Sequence, residues 1–167
     1  LTVSNTTEFT LVASNAAGIF SRSVTVIVAP TAPAMRLSEF VAENRFSLED
    51  GNGDASDWIE LRNTSNEAVN LAGHGLSDDP AQPMKWVFPA TIVQPHGTLI
   101  VFASGRNTPL DPAGNLHASF RLNKAGGSVV LTSPATNTLD SILAYPEQDT
   151  DLAFGRDLEG NWTYLEP

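Results

Sequence analysis

The chain contains no cysteine. That absence excludes disulfide staples, thiolate nucleophiles and Cys-ligated zinc together, while leaving the compartment open. Basic residues are scarce as well: nine Lys and Arg stand against 19 acids, for a net charge of −10. They are scattered along the sequence, so no basic face is expected for nucleic acid or for an anionic membrane surface. No window approaches about 18 uninterrupted apolar residues, so no membrane-spanning helix is expected. No charged stretch followed by an apolar run marks a signal peptide. The chain opens on Leu1 rather than Met, which reads as a piece of a longer protein with any export signal upstream. HExxH and GxSxG are missing too. The histidines His74, His96 and His117 lie far apart, at or near turns, and read as surface or turn residues.

What is present is enough apolar residue for a core, 41% of the chain, arranged in short alternating runs. In "TEFTLVASNAAGIFSRSVTVIVAP" (7–30), Phe9, Leu11 and Ala13 point one way and Thr10, Val12 and Ser14 the other. After the turn signal Asn15-Ala16-Ala17-Gly18, the period of two resumes at Val24, Val26 and Val28, which predicts a β-hairpin. Two strands are marginal alone in water. Residues 1–29 therefore read as the last hairpin of a domain, and its open edges offer a route to an oligomer. The segment 30–35, within "APTAPAM", reads as a Pro-rich, semi-rigid linker.

From Arg36 onward, strand-like runs recur at "RLSEFVAE", "DWIELRN", "AVNL", "KWVFP", "TLIVFAS", "ASFRLN", "SVVLTS", "LDSILAY", "LAFGRD" and "NWTYL", separated by turn residues. No window carries a helical apolar stripe free of Gly and Pro. The expectation is an all-β sandwich or barrel with Ile59, Leu61, Phe88, Leu99, Val101, Val129 and Leu131 buried. Trp86 shares a face with Phe88 and is expected in the core. The longest irregular stretch is "GRNTPLDPAG", 105–114.

The candidate site is "SLEDGNGDASDWIEL" (47–61), which gathers Glu49, Asp50, Asp54 and Asp57 around Asn52 and two glycines. Counted from Asp50, oxygen ligands fall at the first, third, fifth and seventh places of a calcium loop, through Asp50, Asn52, Asp54 and Ser56. The second half departs: Ala55 occupies the glycine position, and Leu61 stands where a bidentate Glu belongs. Two readings stay open. One is a Gly-rich turn solvated by its acids; the other is a calcium site using Asp50, Asn52, Asp54 and Asp57. If a metal binds, the oxygen-only donor set points to calcium. Trp58 is the candidate ligand platform, because Ile59 and Leu61 share one face and Trp58 the other; the competing reading packs Trp58 under the 47–57 loop. Nothing singles out a pair of carboxylates for glycoside hydrolysis. No catalytic residue is assigned, and no enzyme activity is expected.

Several blocks then resemble a known family. "SDWIELRNTSNEAVNLAG", "KWVFPATIVQPHGTLIVFASG", "LHASFRLNKAGGSVVLTSP" and "YPEQDTDLAFGRD" follow in order, and they resemble bacterial lamin-tail domains over residues 36–167. The N-terminal hairpin resembles the last two strands of bacterial immunoglobulin-like repeats. His74-Gly75 departs from the pattern, since bacterial members usually carry aromatics there. The resemblance implies an immunoglobulin-like β-sandwich of lamin-tail type with an extra N-terminal hairpin. It further implies a non-catalytic interaction or spacer module of a larger exported or cell-surface protein. The alternative is a carbohydrate- or calcium-binding accessory module attached to an enzyme such as a nuclease or a spore-coat-type kinase protein. The expected partner is a protein or a cell-surface glycan, in an extracellular or cell-surface setting.

Overall fold

A computed structural model describes residues 7–26, 33–108 and 110–165. The strands run β1 (Thr7–Asn15), β2 (Gly18–Val26), β3 (Met35–Val41), β4 (Trp58–Asn63), β5 (Val69–Asn70), β6 (Gly75–Ser77), β7 (Trp86–Val87), β8 (Ile92–Val93), β9 (Thr98–Phe102), β10 (Leu116–His117), β11 (Gly127–Thr132), β12 (Thr138–Tyr145), β13 (Phe154–Arg156) and β14 (Trp162–Tyr164). The chain divides into two compact units, Leu1–Ala32 and Pro33–Pro167.

In the first unit, β1 and β2 pair antiparallel from Thr7↔Val26 to Asn15↔Gly18. Register partners share a face in such a ladder, so Phe9, Leu11, Ala13, Phe20 and Val24 lie together. Thr10 and Ser23 share a hydroxyl hydrogen bond on the opposite face, at 2.9 Å. The Asn15 side chain accepts from the Ala17 amide at 2.8 Å and so closes the turn. The predicted strand continued to Val28; residues 27–32, which hold much of the predicted linker, lie outside the described residues.

The second unit is an all-β sandwich. One sheet has the order β10-β9-β4-β3-β13-β14 and the other β12-β11-β6-β7, with a small β5-β8 pair at the side. All pairs are antiparallel except β10 with β9. Alternation and register place the core. Phe154, Phe40, Ile59, Val101 and Leu116 form one row across the larger sheet. Leu37, Leu61 and Leu99 form the next row. From the facing sheet, Val129, Leu131, Leu76, Trp86 and Ile142 pack against them in a single cluster. Trp86 meets Phe88 edge-on, with ring centroids 4.6 Å apart. Asp140 links β12 to the bulge in β3: it accepts from the Leu37 amide at 3.0 Å and pairs with Arg156 at 2.7 Å.

Four expectations need correction. Met35 was assigned to the linker, yet it opens β3 and is buried. Leu99 was expected in the core but is half-buried, packed against the core cluster without being enclosed by it. The run "ASFRLN" was expected as a strand and forms none. Ala118, Phe120 and Leu122 do point inward, as the alternation requires, but the backbone makes isolated bonds instead of a continuous ladder. The Ala118 amide donates to the Phe102 carbonyl and the Asn123 amide to the Tyr145 hydroxyl. Conversely, β6 gave no strand signal because it is built on Gly75. A Cβ there would lie 2.5 Å from the Pro83 carbonyl oxygen and from Thr132 Oγ1, so the strands approach where only glycine fits. That contact accounts for Gly75, in the dipeptide where the family's aromatic pattern breaks.

Candidate functional site

The acid-rich loop connects β3 to β4 and is built from its own side chains. Asn44 is buried at its base and donates to the carbonyls of Leu48 and Ser56, at 2.5 and 2.8 Å. Its Oδ1 accepts from the amide and hydroxyl of Ser47. Asp57 accepts from the Asn44 amide at 3.2 Å. Burial raises the Asp57 carboxyl above its ordinary range, against the amides of Asn44 and Leu122. Asp57 therefore closes the loop and does not join a ligand set with Asp50.

The Asp50/Asn52/Asp54 spacing has a local cause. Asp50 Oδ1 accepts from the amides of Asn52 and Asp54, at 2.8 and 3.1 Å, while Gly53 turns the chain at φ 80°. The same turn is made twice more. Asp111 Oδ1 accepts from the Ala113 and Asn115 amides at 2.8 and 2.9 Å, with Gly114 at φ 87°. Asp157 Oδ1 accepts from the Glu159 and Asn161 amides at 3.0 and 2.8 Å, with Gly160 at φ 87°. The signature is Asp-x-x-Gly-Asp/Asn, and it was legible in the sequence as an Asx turn closed by a left-handed glycine. At Gly114 an added Cβ would meet nothing within 4 Å, so the requirement there is the backbone angle alone. Gly114→Ala is expected to cost about 1–2 kcal/mol, read as a shift of the urea midpoint at constant m-value.

Two of these turns meet in space. Asp111 Oδ2 accepts from the Gly51 amide at 2.6 Å, from Asn115 Nδ2 at 2.9 Å and from His117 Nε2 at 3.3 Å. The other imidazole nitrogen, Nδ1, is 2.9 Å from Ser104 Oγ. Arg106 clasps both Asp50, at 2.8 Å, and Asp54. His117 lies flat on Phe102, with centroids 5.4 Å apart. Burial pushes the Asp111 carboxyl upward, but the Asn115 and Gly51 donors overcome it and hold the group well below the usual carboxylate range. At Asp50, burial is likewise outweighed by the Asp54 and Asn52 amides and by Arg106, and the carboxyl is lowered.

His117 thus corrects the surface-or-turn reading: it is fully buried, because β10 tucks it between Phe102 and the two turns. Among the described residues, Asp50, Asp111 and His117 are the group compact enough to hold a metal ion, with donor atoms within 4.8 Å of one another. Each donor is already engaged, however, by an amide, a guanidinium or a neighbour in the group. Ser104, His117 and Asp111 also line up as hydroxyl, imidazole and carboxylate, but they are almost wholly buried, and the Arg106 amide donates to Ser104 Oγ at 3.3 Å.

The predicted calcium residues are only partly gathered. Asp50 and Asp54 share Arg106, Asn52 is exposed, and Asp57 bonds to Asn44. Trp58 offers no open platform. It is 8% exposed and packs with Val41, Phe102 and Leu48 on the outer face of the larger sheet. Its indole N–H points to Ser47 Oγ at 3.4 Å, under the loop.

The sandwich topology and the ordered blocks agree with a comparison to family models, in which the Lamin Tail Domain matches residues 38–145. The chain belongs to the lamin-tail family. The match begins inside β3 and ends with β12, so it takes in the smaller sheet and β3, β4, β9 and β10 of the larger one, and leaves out β13 and β14. A comparison with curated proteins gives no match. The family and its immunoglobulin-like fold are in keeping with a non-catalytic module. The network of Asp50, Arg106, Asp111 and His117 lies at one end of the lamin-tail sandwich, where it ties the β3–β4 loop to the β9–β10 loop.

Proposed function

We propose that this lamin-tail domain is a non-catalytic interaction or spacer module of a larger exported or cell-surface protein. One observation carries the reading: the side chains with catalytic character, Ser104, His117 and Asp111, are buried and hydrogen-bonded to one another. A general base must reach a substrate proton, and a buried, engaged imidazole serves as a tie between loops. The partner would be a protein or a cell-surface glycan. Glycan arrays probed with the intact chain test this: a spacer gives no saturable signal, whereas saturable binding to one glycan class makes the domain a recognition module. Turnover of a glycan or nucleotide by the purified chain would overturn the non-catalytic reading.

A second reading, a calcium-binding accessory module attached to an enzyme, rests on the oxygen donors Asp50 and Asp54 of the β3–β4 loop and not on the compact Asp50–Asp111–His117 group, whose imidazole is no calcium ligand. Arg106 already supplies the positive charge there. Millimolar calcium against chelator is therefore expected to leave the melting midpoint unchanged. A rise that disappears in Asp50→Ala with Asp54→Ala would establish the calcium site by linkage.

A further inference from the structure

The basic side chains of this acidic chain are not evenly spread once it is folded. Of its nine Lys and Arg, Arg36 on β3, Arg62 on β4 and Arg156 on β13 line one cleft of about 380 Å³, with His96 beside them. Arg36 and Arg62 are direct register partners on antiparallel strands. Alternation forces this placement: Leu37 and Leu61 point into the core, so Arg36 and Arg62 emerge together on the outer face. Like charges directly opposite each other destabilise a sheet.

Among the described residues, no ion pair joins either guanidinium to an acid. Arg156 is different. It is fixed by Asp140 at 2.7 Å, by the carbonyls of Leu37 and Gly160 at 3.2 and 2.8 Å, and by stacking 4.5 Å over the Trp162 ring. It forms a rigid wall rather than a free charge. Two acids also line the cleft: Asp157 engages its carboxylate with the amides of its own turn and with Asn161 Nδ2 at 3.3 Å, and Glu159 on the same turn is exposed. The turn also holds Leu158, whose side chain is fully exposed beside the cleft.

We infer that this cleft is an oxyanion site, in which Arg36 and Arg62 clasp a single carboxylate, sulfate or phosphate group against the Arg156 wall. Planar guanidinium forks match the geometry of such groups, and a concave site focuses the local positive field. The chain's net charge of −10 repels a polyanion, so the ligand carries one anionic group, and Leu158 offers its body an apolar contact. The site is independent of whether the domain acts as a spacer or a recognition module.

The test is a ¹H–¹⁵N titration of the whole chain with sodium phosphate, and separately with sodium acetate, at constant ionic strength. Saturable shifts are expected at residues 36, 62, 96 and 157–160, with a dissociation constant on the order of 1–10 mM. Arg36→Ala combined with Arg62→Ala should weaken the phosphate response about tenfold or more, while Arg22→Ala in the hairpin leaves it unchanged. Tighter phosphate than acetate assigns a dianion; the reverse assigns a carboxylate. The double variant should melt at or above the wild-type temperature, because two opposed like charges are gone. If it melts lower, Arg62→Ala alone serves as the comparison. Shifts that never saturate, shifts that follow every Lys and Arg alike, or arginine variants that saturate as the wild type does would overturn the site.

Discussion

Leu61→Ala is expected to destabilise the sandwich by about 2–5 kcal/mol. Leu61 sits on β4, between β3 and β9 in the middle of the larger sheet, and is fully buried. Its register partners are Leu37 and Leu99, and the facing sheet closes over it in the same cluster. Truncation removes the transfer energy of the lost methyl and methylene groups and leaves a cavity bounded by strands on both sides. A two-stranded edge could collapse into such a gap; a central strand held by two ladders cannot follow it. The measurement is urea unfolding followed by tryptophan fluorescence, with the midpoint shifting at constant m-value. A loss under about 0.5 kcal/mol would mean that Leu61 does not occupy the packed face.

Asp111→Asn is expected to lower the melting midpoint by more than about 5 °C near neutral pH and to flatten the acid limb of stability. Both carboxylate oxygens of Asp111 accept: Oδ1 from the Ala113 and Asn115 amides, Oδ2 from Gly51, Asn115 and His117. Whichever way an Asn side chain is turned, its amide nitrogen faces N–H donors and strands them. The pH dependence follows from the direction of the shifts. Asp50 and Asp111 titrate below their unfolded values, near 3.9. Their contribution is complete above that value and is lost as the pH falls through the lowered folded-state value. Glu43, held at about 2 by Lys124, Arg45 and Thr150, acts in the same direction. Burial raises Glu39 and Asp57 instead; they oppose the others and cost stability as the pH rises through their folded-state values. The wild-type midpoint should therefore fall steeply below about pH 4, and the Asp111→Asn curve should fall less. Parallel curves between about pH 2 and 6 would show that Asp111 contributes nothing ionic.

How much of this could be read from the sequence depended on distance along the chain. The period of two in "DWIELRN" fixed the inward face of β4, because backbone pleating alone decides which side chains share a face. The Asn15–Gly18 turn and the three Asp-x-x-Gly-Asp/Asn turns are equally local, each closed by one side chain on its own backbone. The ordered blocks carried the family, and with it the sandwich. None of these features says what covers the second face of a sheet. His117 reads from the sequence as a surface or turn residue, and Trp58 stays open between an exposed platform and a place under the 47–57 loop. Each is buried because an aperiodic loop folds back over it: the β3–β4 loop covers Trp58, and the β9–β10 loop encloses His117.

The same limit applies to charge. Asp50 looked like the first ligand of a calcium loop because its partners Asn52 and Asp54 are close in sequence. Its balancing charge, Arg106, stands 56 residues away, and Asp111 reaches the same loop from 60 residues away. Arg36 and Arg62 are likewise scattered along the chain and become neighbours only through the β3–β4 register. Local alternation and turn chemistry are encoded residue by residue, so the sequence by itself determined most of the strands, their inward faces and the tight turns, but not β6 or the missing ladder at 118–123. Which loops cap the faces, and which distant charges meet, depends on long-range pairing and burial that no local pattern carries, so only the tertiary structure decided them.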